Sequence, residues 1–227
     1  IDALVTSWRR SLRARNLAPK TIKTYCEAAG QLADFLDRAG VDAAAARTAE
    51  VLRELQELPA VAQALAGAPH AVLESLPRVL AASDFIAESC VRDPGVIPAL
   101  LAGALHSRRS AADFAAIAAA EGTHTDEATF QAWIRRWRRR EMVRIAWRDL
   151  AGWADLEETL TELSAFADAA IDVACRFAKA GLTERFGTPR GPDGAEQPFV
   201  VVGMGKLGGG ELNFSSDIDL VFLFPEF

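Results

Sequence analysis

From Pro19 to about Ala180 the apolar residues recur every three or four positions, and then the period stops. That spacing lays apolar side chains along one stripe of a helix, so most of this chain can only pack as a series of helices. Behind Pro19, Ile22, Tyr25, Ala29, Leu32 and Leu36 mark one stripe, with Gly40 placed to end it. Short helices punctuated by Pro59, Pro69, Pro77, Pro94 and Pro98 are predicted up to about residue 120. A longer helix is predicted from about Glu127 to Leu150. Another begins at Asp155, where Glu158 completes the spacing of a capping box, and runs to about Ala180.

The break comes at FGTPRGPDGAEQP (residues 186–198), where glycine and proline dictate a loop. Beyond it, Phe199–Val202 is short and β-branched and reads as a buried strand; Ile218–Phe224 reads as a second. Two strands alone make no stable sheet, so the last domain is expected to be cut off.

The 227 residues are half apolar, enough for a sizeable core in one or two domains. A net charge of -6 argues against a surface coated for nucleic acid. No apolar run approaches the roughly 20 residues of a membrane span, and no charged-then-apolar leader opens the chain. The first residue is Ile, so the true start is expected upstream. Cys26, Cys90 and Cys175 lack Cys-x-x-Cys spacing, and His70, His106 and His124 are scattered. Neither structural zinc nor a disulfide framework is expected, and the default location is a reducing cytoplasm. The cysteines read as small buried apolar residues.

The segment GMGKLGGGELNFSSDIDLVF (residues 203–222) carries the chemistry. A strand runs into a glycine-rich turn, and a second strand presents Asp217 and Asp219. Alternation along a strand puts both carboxylates on one face, roughly 7 Å apart. Two acids so placed repel unless a divalent cation lies between them, and oxygen-only ligands suit Mg²⁺ completed by substrate phosphates. Gly205, Gly208, Gly209 and Gly210 remove side chains where a phosphate would approach backbone N–H groups. Ser215 and Ser216 add hydroxyl donors, and Lys206 is either a phosphate contact or a surface lysine.

This order of strand, glycine turn, Ser-Ser, Asp-x-Asp and strand resembles the signature of the polymerase-β-like nucleotidyltransferases. The wording KLGGGELNFSSDIDL resembles more narrowly the bifunctional glutamine synthetase adenylyltransferase/adenylyl-removing family, as do RRREMVRIAWRDLAG (residues 138–152) and ASDFIAESCVRDP (residues 82–94). Together these carry the resemblance over about residues 50 to 227. Asn-Phe-Ser-Ser before the Asp-x-Asp is similar to the N-terminal, adenylyl-removing half of a family that carries two nucleotidyltransferase domains.

The resemblance implies a nucleotide-binding enzyme of nitrogen regulation that works by phosphorolysis. Orthophosphate would attack the AMP–tyrosine linkage of adenylylated glutamine synthetase and release ADP. Asp217 and Asp219 would be the catalytic and metal-binding residues, holding Mg²⁺. Gly205, Lys206, Gly208, Gly209, Ser215 and Ser216 would hold phosphate oxygens. A nitrogen-signalling PII protein is a further implied partner. The superfamily takes a third carboxylate from a later strand, and Glu226 lies too close to serve, so this chain alone is expected to be inactive.

Two segments remain. Arg135, Arg136, Arg138, Arg139, Arg140, Arg144 and Arg148 share one predicted helix with Trp133, Trp137 and Trp147. Aromatic rings among arginines suit nucleic-acid stacking. The spacing of Ile134, Trp137, Met142 and Ile145 suits instead a buried face, with the arginines left to solvent or to acidic partners. At the other end, residues 1–40 hold 7 Lys+Arg and 4 Asp+Glu, net +3, against 18 and 27, net -9, in the remainder. Residues 9–23 hold six positive charges (Arg9, Arg10, Arg13, Arg15, Lys20, Lys23) and no negative one, which suits DNA phosphate contact. Residues 7–40 resemble the N-terminal core-binding domain of tyrosine recombinases. Recombination itself needs a nucleophilic tyrosine and its Arg/His activators. The single tyrosine, Tyr25, lies on an apolar stripe, and the His-x-x-Arg spacing of His106 and Arg109 has no partners.

The expected organisation is therefore mainly α. A recombinase-like helical segment (1–47) precedes the helical region of an adenylyl-removing enzyme (48–190) and the start of an incomplete α/β nucleotidyltransferase domain (191–227). Nucleotidyl transfer on glutamine synthetase is the leading function; a non-catalytic DNA-binding or helical interaction module is the alternative.

Overall fold

The computed structural model describes Lys23 and residues 41–102, 105–124 and 126–225. The helical pair expected within residues 7–40, with Tyr25, Cys26 and all of residues 9–23 but Lys23, lies outside the described residues. The chain divides into two compact units, residues 1–53 and 54–227. Helix α1 (Val41–Gln56) crosses that boundary. The second unit continues with α2 (Pro59–Ala66), α3 (His70–Ala82), α4 (Asp84–Arg92), α5 (Val96–Leu101), α6 (Ala111–Glu121), α7 (Glu127–Ala151) and α8 (Leu156–Phe186). It closes with β1 (Val200–Gly203), the single turn α9 (Gly205–Gly208) and β2 (Leu220–Leu223). The described chain is thus mainly helical, with one small antiparallel sheet in which Val200 faces Leu223 and Gly203 faces Leu220.

Local chemistry explains most boundaries. Pro59 sits in the first turn of α2, where a missing N–H costs nothing. Ser83 caps α4 by accepting from the Ile86 amide. Ser110 and Asp113 form a reciprocal capping box at α6. Asp126 accepts from the Thr129 amide to open α7, and Gly152, at φ 74°, ends it with a left-handed residue. Asp155 accepts from the Glu158 amide at 2.8 Å, as its spacing predicts, and α8 then runs six residues past Ala180 to Phe186. Pro77 does not punctuate. It lies inside α3, and the carbonyl it leaves unbonded is that of Leu73, a residue on the exposed side of the helix.

Helices α3 and α4 pack on α7, and α6 and α7 pack on α8. Phe114, Phe130, Trp133, Trp137, Phe166 and Val173 form one core cluster, in which Trp133 stacks on Trp137 and Phe130 on Phe177. Trp147 is buried too, its indole N–H donating to Ser75 Oγ at 2.9 Å. These tryptophans are core residues, so the nucleic-acid stacking reading of this helix is overturned. The split of α7 into an apolar face and outward arginines holds for Trp137 and Ile145, which are buried, and for Arg135, Arg136 and Arg138, which are exposed, but it fails at two positions. Arg144 and Arg148 are buried between α7 and α8. Arg144 donates to Glu141 at 2.8 Å, to Glu162 at 2.5 Å and to the Ser107 carbonyl at 3.0 Å; Arg148 pairs with Glu158. Arg109 joins the network through Glu141, and His106 lies against the Trp153 ring. Burying a charge is costly unless a counter-charge is supplied, and here the acids of the network supply it, although Arg148 Nε and Glu162 Oε2 face each other at 4.0 Å without a hydrogen bond.

The sheet departs from expectation as well. Phe199, Val200 and Val202 are exposed, as are Val221, Phe222 and Leu223. The run read as a buried strand is half of a two-stranded hairpin, in which Leu220 packs on the helical body while most of the other side chains stay uncovered.

Candidate active site

The glycine turn is built by steric exclusion. A Cβ on Gly208 would stand 2.4 Å from the Gly203 carbonyl oxygen, and one on Gly203 would stand 2.9 Å from Leu207 Cγ. Gly205 and Gly210 hold φ values of 57° and 68°, where a side chain is strained. Gly208 donates to Met204 O, Gly209 to Gly205 O and Gly210 to Leu207 O, so these three amides are used inside the turn. Gly205, Lys206 and Leu207 form the first turn of α9, and their amides have no carbonyl four residues back in the helix. Lys206 is exposed.

Two leucines fix this turn to the helical body. Leu207 and Leu212 are buried with Ile145 of α7 and Leu163 and Ala167 of α8. The Leu212 amide donates to Ser164 Oγ at 3.0 Å, and Ser164 Oγ donates in turn to the Leu160 carbonyl. Sequence reasoning missed Leu207, Leu212 and Ser164. The available signal was two leucines five positions apart in a segment otherwise made of glycine and polar residues.

The hydroxyls of Ser215 and Ser216 both donate to Asn213 Oδ1, at 3.2 and 2.6 Å, folding Asn213–Ser216 into a tight turn. Asp217 and Asp219 follow in the extended segment just before β2, both exposed. The Asp219 carbonyl accepts from the Met204 amide at 2.9 Å, joining the Asp-x-Asp segment to the residue that opens the glycine turn. Structure therefore brings together the glycine turn, the two serines and the two aspartates at one end of the hairpin.

The donor set fits a hard divalent cation. Both side chains offer only oxygen, and among the described residues neither carboxylate pairs with a cation or accepts a hydrogen bond. Such a pair is mutually repulsive until a positive charge joins it. No third His, Cys, Asp or Glu clusters with them among the described residues.

Two clefts flank the hairpin. One of about 850 Å³ lies between the last turns of α8 and the hairpin, walled by Leu182, Phe186, Phe199 and Phe222. The other, of about 440 Å³, opens between α7, the start of α4 and Phe214–Ser215.

Residues 73–227 match the family model described as glutamate-ammonia ligase adenylyltransferase. Three relatives carry the name bifunctional glutamine synthetase adenylyltransferase/adenylyl-removing enzyme. That of Shewanella loihica is 42% identical over 153 residues, covering 67% of this chain and 16% of the relative. That of Thioalkalivibrio sulfidiphilus is 45% identical over 153 residues, 66% of this chain and 16% of the relative. That of Pseudomonas aeruginosa is 45% identical over 161 residues, 70% of this chain and again 16% of the relative. The matched part thus spans about one sixth of these relatives' length.

Proposed function

The chain belongs to the glutamate-ammonia ligase adenylyltransferase family, and from that premise we propose that its glycine turn and Asp-x-Asp serve nucleotidyl transfer on glutamine synthetase, in the adenylyl-removing direction. The observation that carries this reading is the Met204–Asp219 hydrogen bond, which joins the segment of two unpaired carboxylates to the residue that opens the glycine turn. The direction rests on the resemblance of Asn213–Ser216 to the adenylyl-removing half.

In that reaction an oxygen of orthophosphate attacks the phosphorus of the AMP–tyrosine diester. The bond from phosphorus to the tyrosyl oxygen breaks, ADP forms, and the tyrosyl oxygen takes up a proton. Asp217 and Asp219 would hold Mg²⁺, which when bound offsets the charge of the phosphate oxygens. The amides of Gly205, Lys206 and Leu207 would orient those oxygens, with the Lys206 ammonium adding charge. Ser215 and Ser216 would do so only after turning from Asn213. Adenylylated glutamine synthetase is the proposed protein substrate, orthophosphate and ADP the small ligands, and a PII protein a proposed regulator.

The test is a graft. Residues 73–227 replace the matching segment of the Pseudomonas aeruginosa relative, and phosphate-dependent ADP release from adenylylated glutamine synthetase is followed. Asp217→Asn should reduce that release by more than about 10²-fold while AMP attachment proceeds. Loss of attachment with removal intact would reverse the proposed direction. The 227-residue chain by itself is expected to release little ADP, because two carboxylates position the attacking and leaving oxygens poorly.

A further inference from the structure

The smaller cleft begins where the Asp-x-Asp loop begins, at Phe214 and Ser215. Its lining includes two aromatic rings, Phe85 (44% exposed) and Phe214 (38% exposed), together with Met142 and Ala146. Arg138 and Asp149 complete it. On α7, Arg138, Met142, Ala146 and Asp149 are spaced 4, 4 and 3 apart, so they share one face, and the two charged residues stand about 16 Å apart along the axis.

Arg138, like Arg135 and Arg136, makes no ion pair among the described residues, whereas Arg139, Arg140, Arg144 and Arg148 each pair with an acid. Asp149 accepts one long hydrogen bond, 3.4 Å from Thr159 Oγ1, and its second oxygen accepts none among the described residues. A half-buried carboxylate at the end of an apolar cleft lacks a donor. Burial pushes the Asp149 carboxyl above its usual range, as that deficit requires.

We infer that this cleft receives the base of the nucleotide whose phosphate lies at the glycine turn, with a flat heteroaromatic ring against Phe85 and Phe214 and an exocyclic amine donating to Asp149. The inference rests on the nucleotidyl-transfer reading above and deepens it into base selection. Continuity along the chain supports it, since Phe214 is three residues from Asp217 and a bound nucleotide must extend somewhere from that pair. The cleft volume falls within the range of small-molecule sites, and its apolar walls with few polar groups are their usual composition. The tyrosyl side of the diester is a poorer occupant, because a phenyl ring esterified at oxygen offers Asp149 no N–H.

The experiment titrates the purified chain, with Mg²⁺, with ADP and with the diphosphate of purine riboside, which lacks the 6-amino group. ADP should bind at least about ten-fold tighter, because a site that hydrogen-bonds an amine rejects the analogue lacking it. Asp149→Ala should bring the two within about three-fold, and Phe85→Ala should weaken both together. Circular dichroism checks that each variant is folded, and the comparison on the unmodified chain needs no variant at all. Equal binding of the two nucleotides to the unmodified chain overturns the inference. Loss of ADP binding in Asp217→Asn with no effect of Asp149→Ala or Phe85→Ala overturns it while leaving the nucleotidyl-transfer reading standing. Absence of any ADP binding at millimolar concentration overturns both.

Discussion

Arg144 Nη2 lies 2.5 Å from Glu162 Oε1, and both side chains are sealed from solvent. The pair joins α7 to α8 at the level where Leu163 and Ser164 hold the glycine turn, so its integrity sets the footing of the candidate site. Removing one partner leaves an uncompensated buried charge. Arg144→Met or Glu162→Gln is expected to cost about 3–5 kcal/mol in urea unfolding. The exposed pair Arg92–Glu88 should cost under about 1 kcal/mol when broken. Equal, small losses at both sites would show that the buried network contributes nothing special.

Gly208→Ala is expected to damage the turn more than Gly203→Ala. The added methyl meets a backbone carbonyl oxygen at 2.4 Å at Gly208, and the buried Leu207 side chain at the longer distance of 2.9 Å at Gly203. Phosphate binding measured by calorimetry should fall more for Gly208→Ala, while far-UV dichroism stays near that of the parent for both.

Cys90 is fully buried, and burial pushes its thiol up to about 12, with Asp93 adding to the rise. At pH near 8 its thiolate fraction is then on the order of 10⁻⁴. Iodoacetamide followed by peptide mass spectrometry should modify the half-buried Cys175 first, and Cys90 only after denaturant is added. Prompt native-state labelling of Cys90 would contradict its burial.

Hydrogen bonds from Ser110 hold Asp113 below the usual carboxylate range, and those from Thr129 do the same for Asp126. A carboxyl lowered on folding contributes stability above its unfolded value and loses it as pH falls through the folded value. Thermal stability should therefore decline below about pH 4, and Asp113→Asn with Asp126→Asn should flatten that decline. Asp149 works in the opposite sense. Its carboxyl is raised by burial, so its ionised form opposes folding at neutral pH. Asp149→Asn should raise the melting temperature at pH 7, and the gain should shrink in acid as the parent carboxyl takes its proton.

The helix boundaries of α7 and α8 were legible because Asp155, Glu158 and the apolar period act locally. Arg144 and Arg148 were not, because their burial depends on a second helix. A clue did exist: Arg144 and Arg148 are four apart, as are Glu158 and Glu162, so antiparallel helices can match the two pairs. The apolar side of α7, with Trp137 and Ile145, was legible from spacing alone. The exposed hairpin was misread because β-branched residues report a preference for strand and say nothing of what covers it. At the site, residue types and order were legible, whereas the use of the Gly208 and Gly209 amides inside the turn depended on backbone geometry.

Ser164 lies in the first third of a 31-residue helix, and its hydroxyl is the acceptor for the Leu212 amide. That amide proton can reach water only when the loop lifts away from α8. In deuterium exchange it should therefore persist until the loop opens, and its rate would count those openings directly. A magnesium or nucleotide titration that slows this one proton would report docking at the loop without any turnover at all.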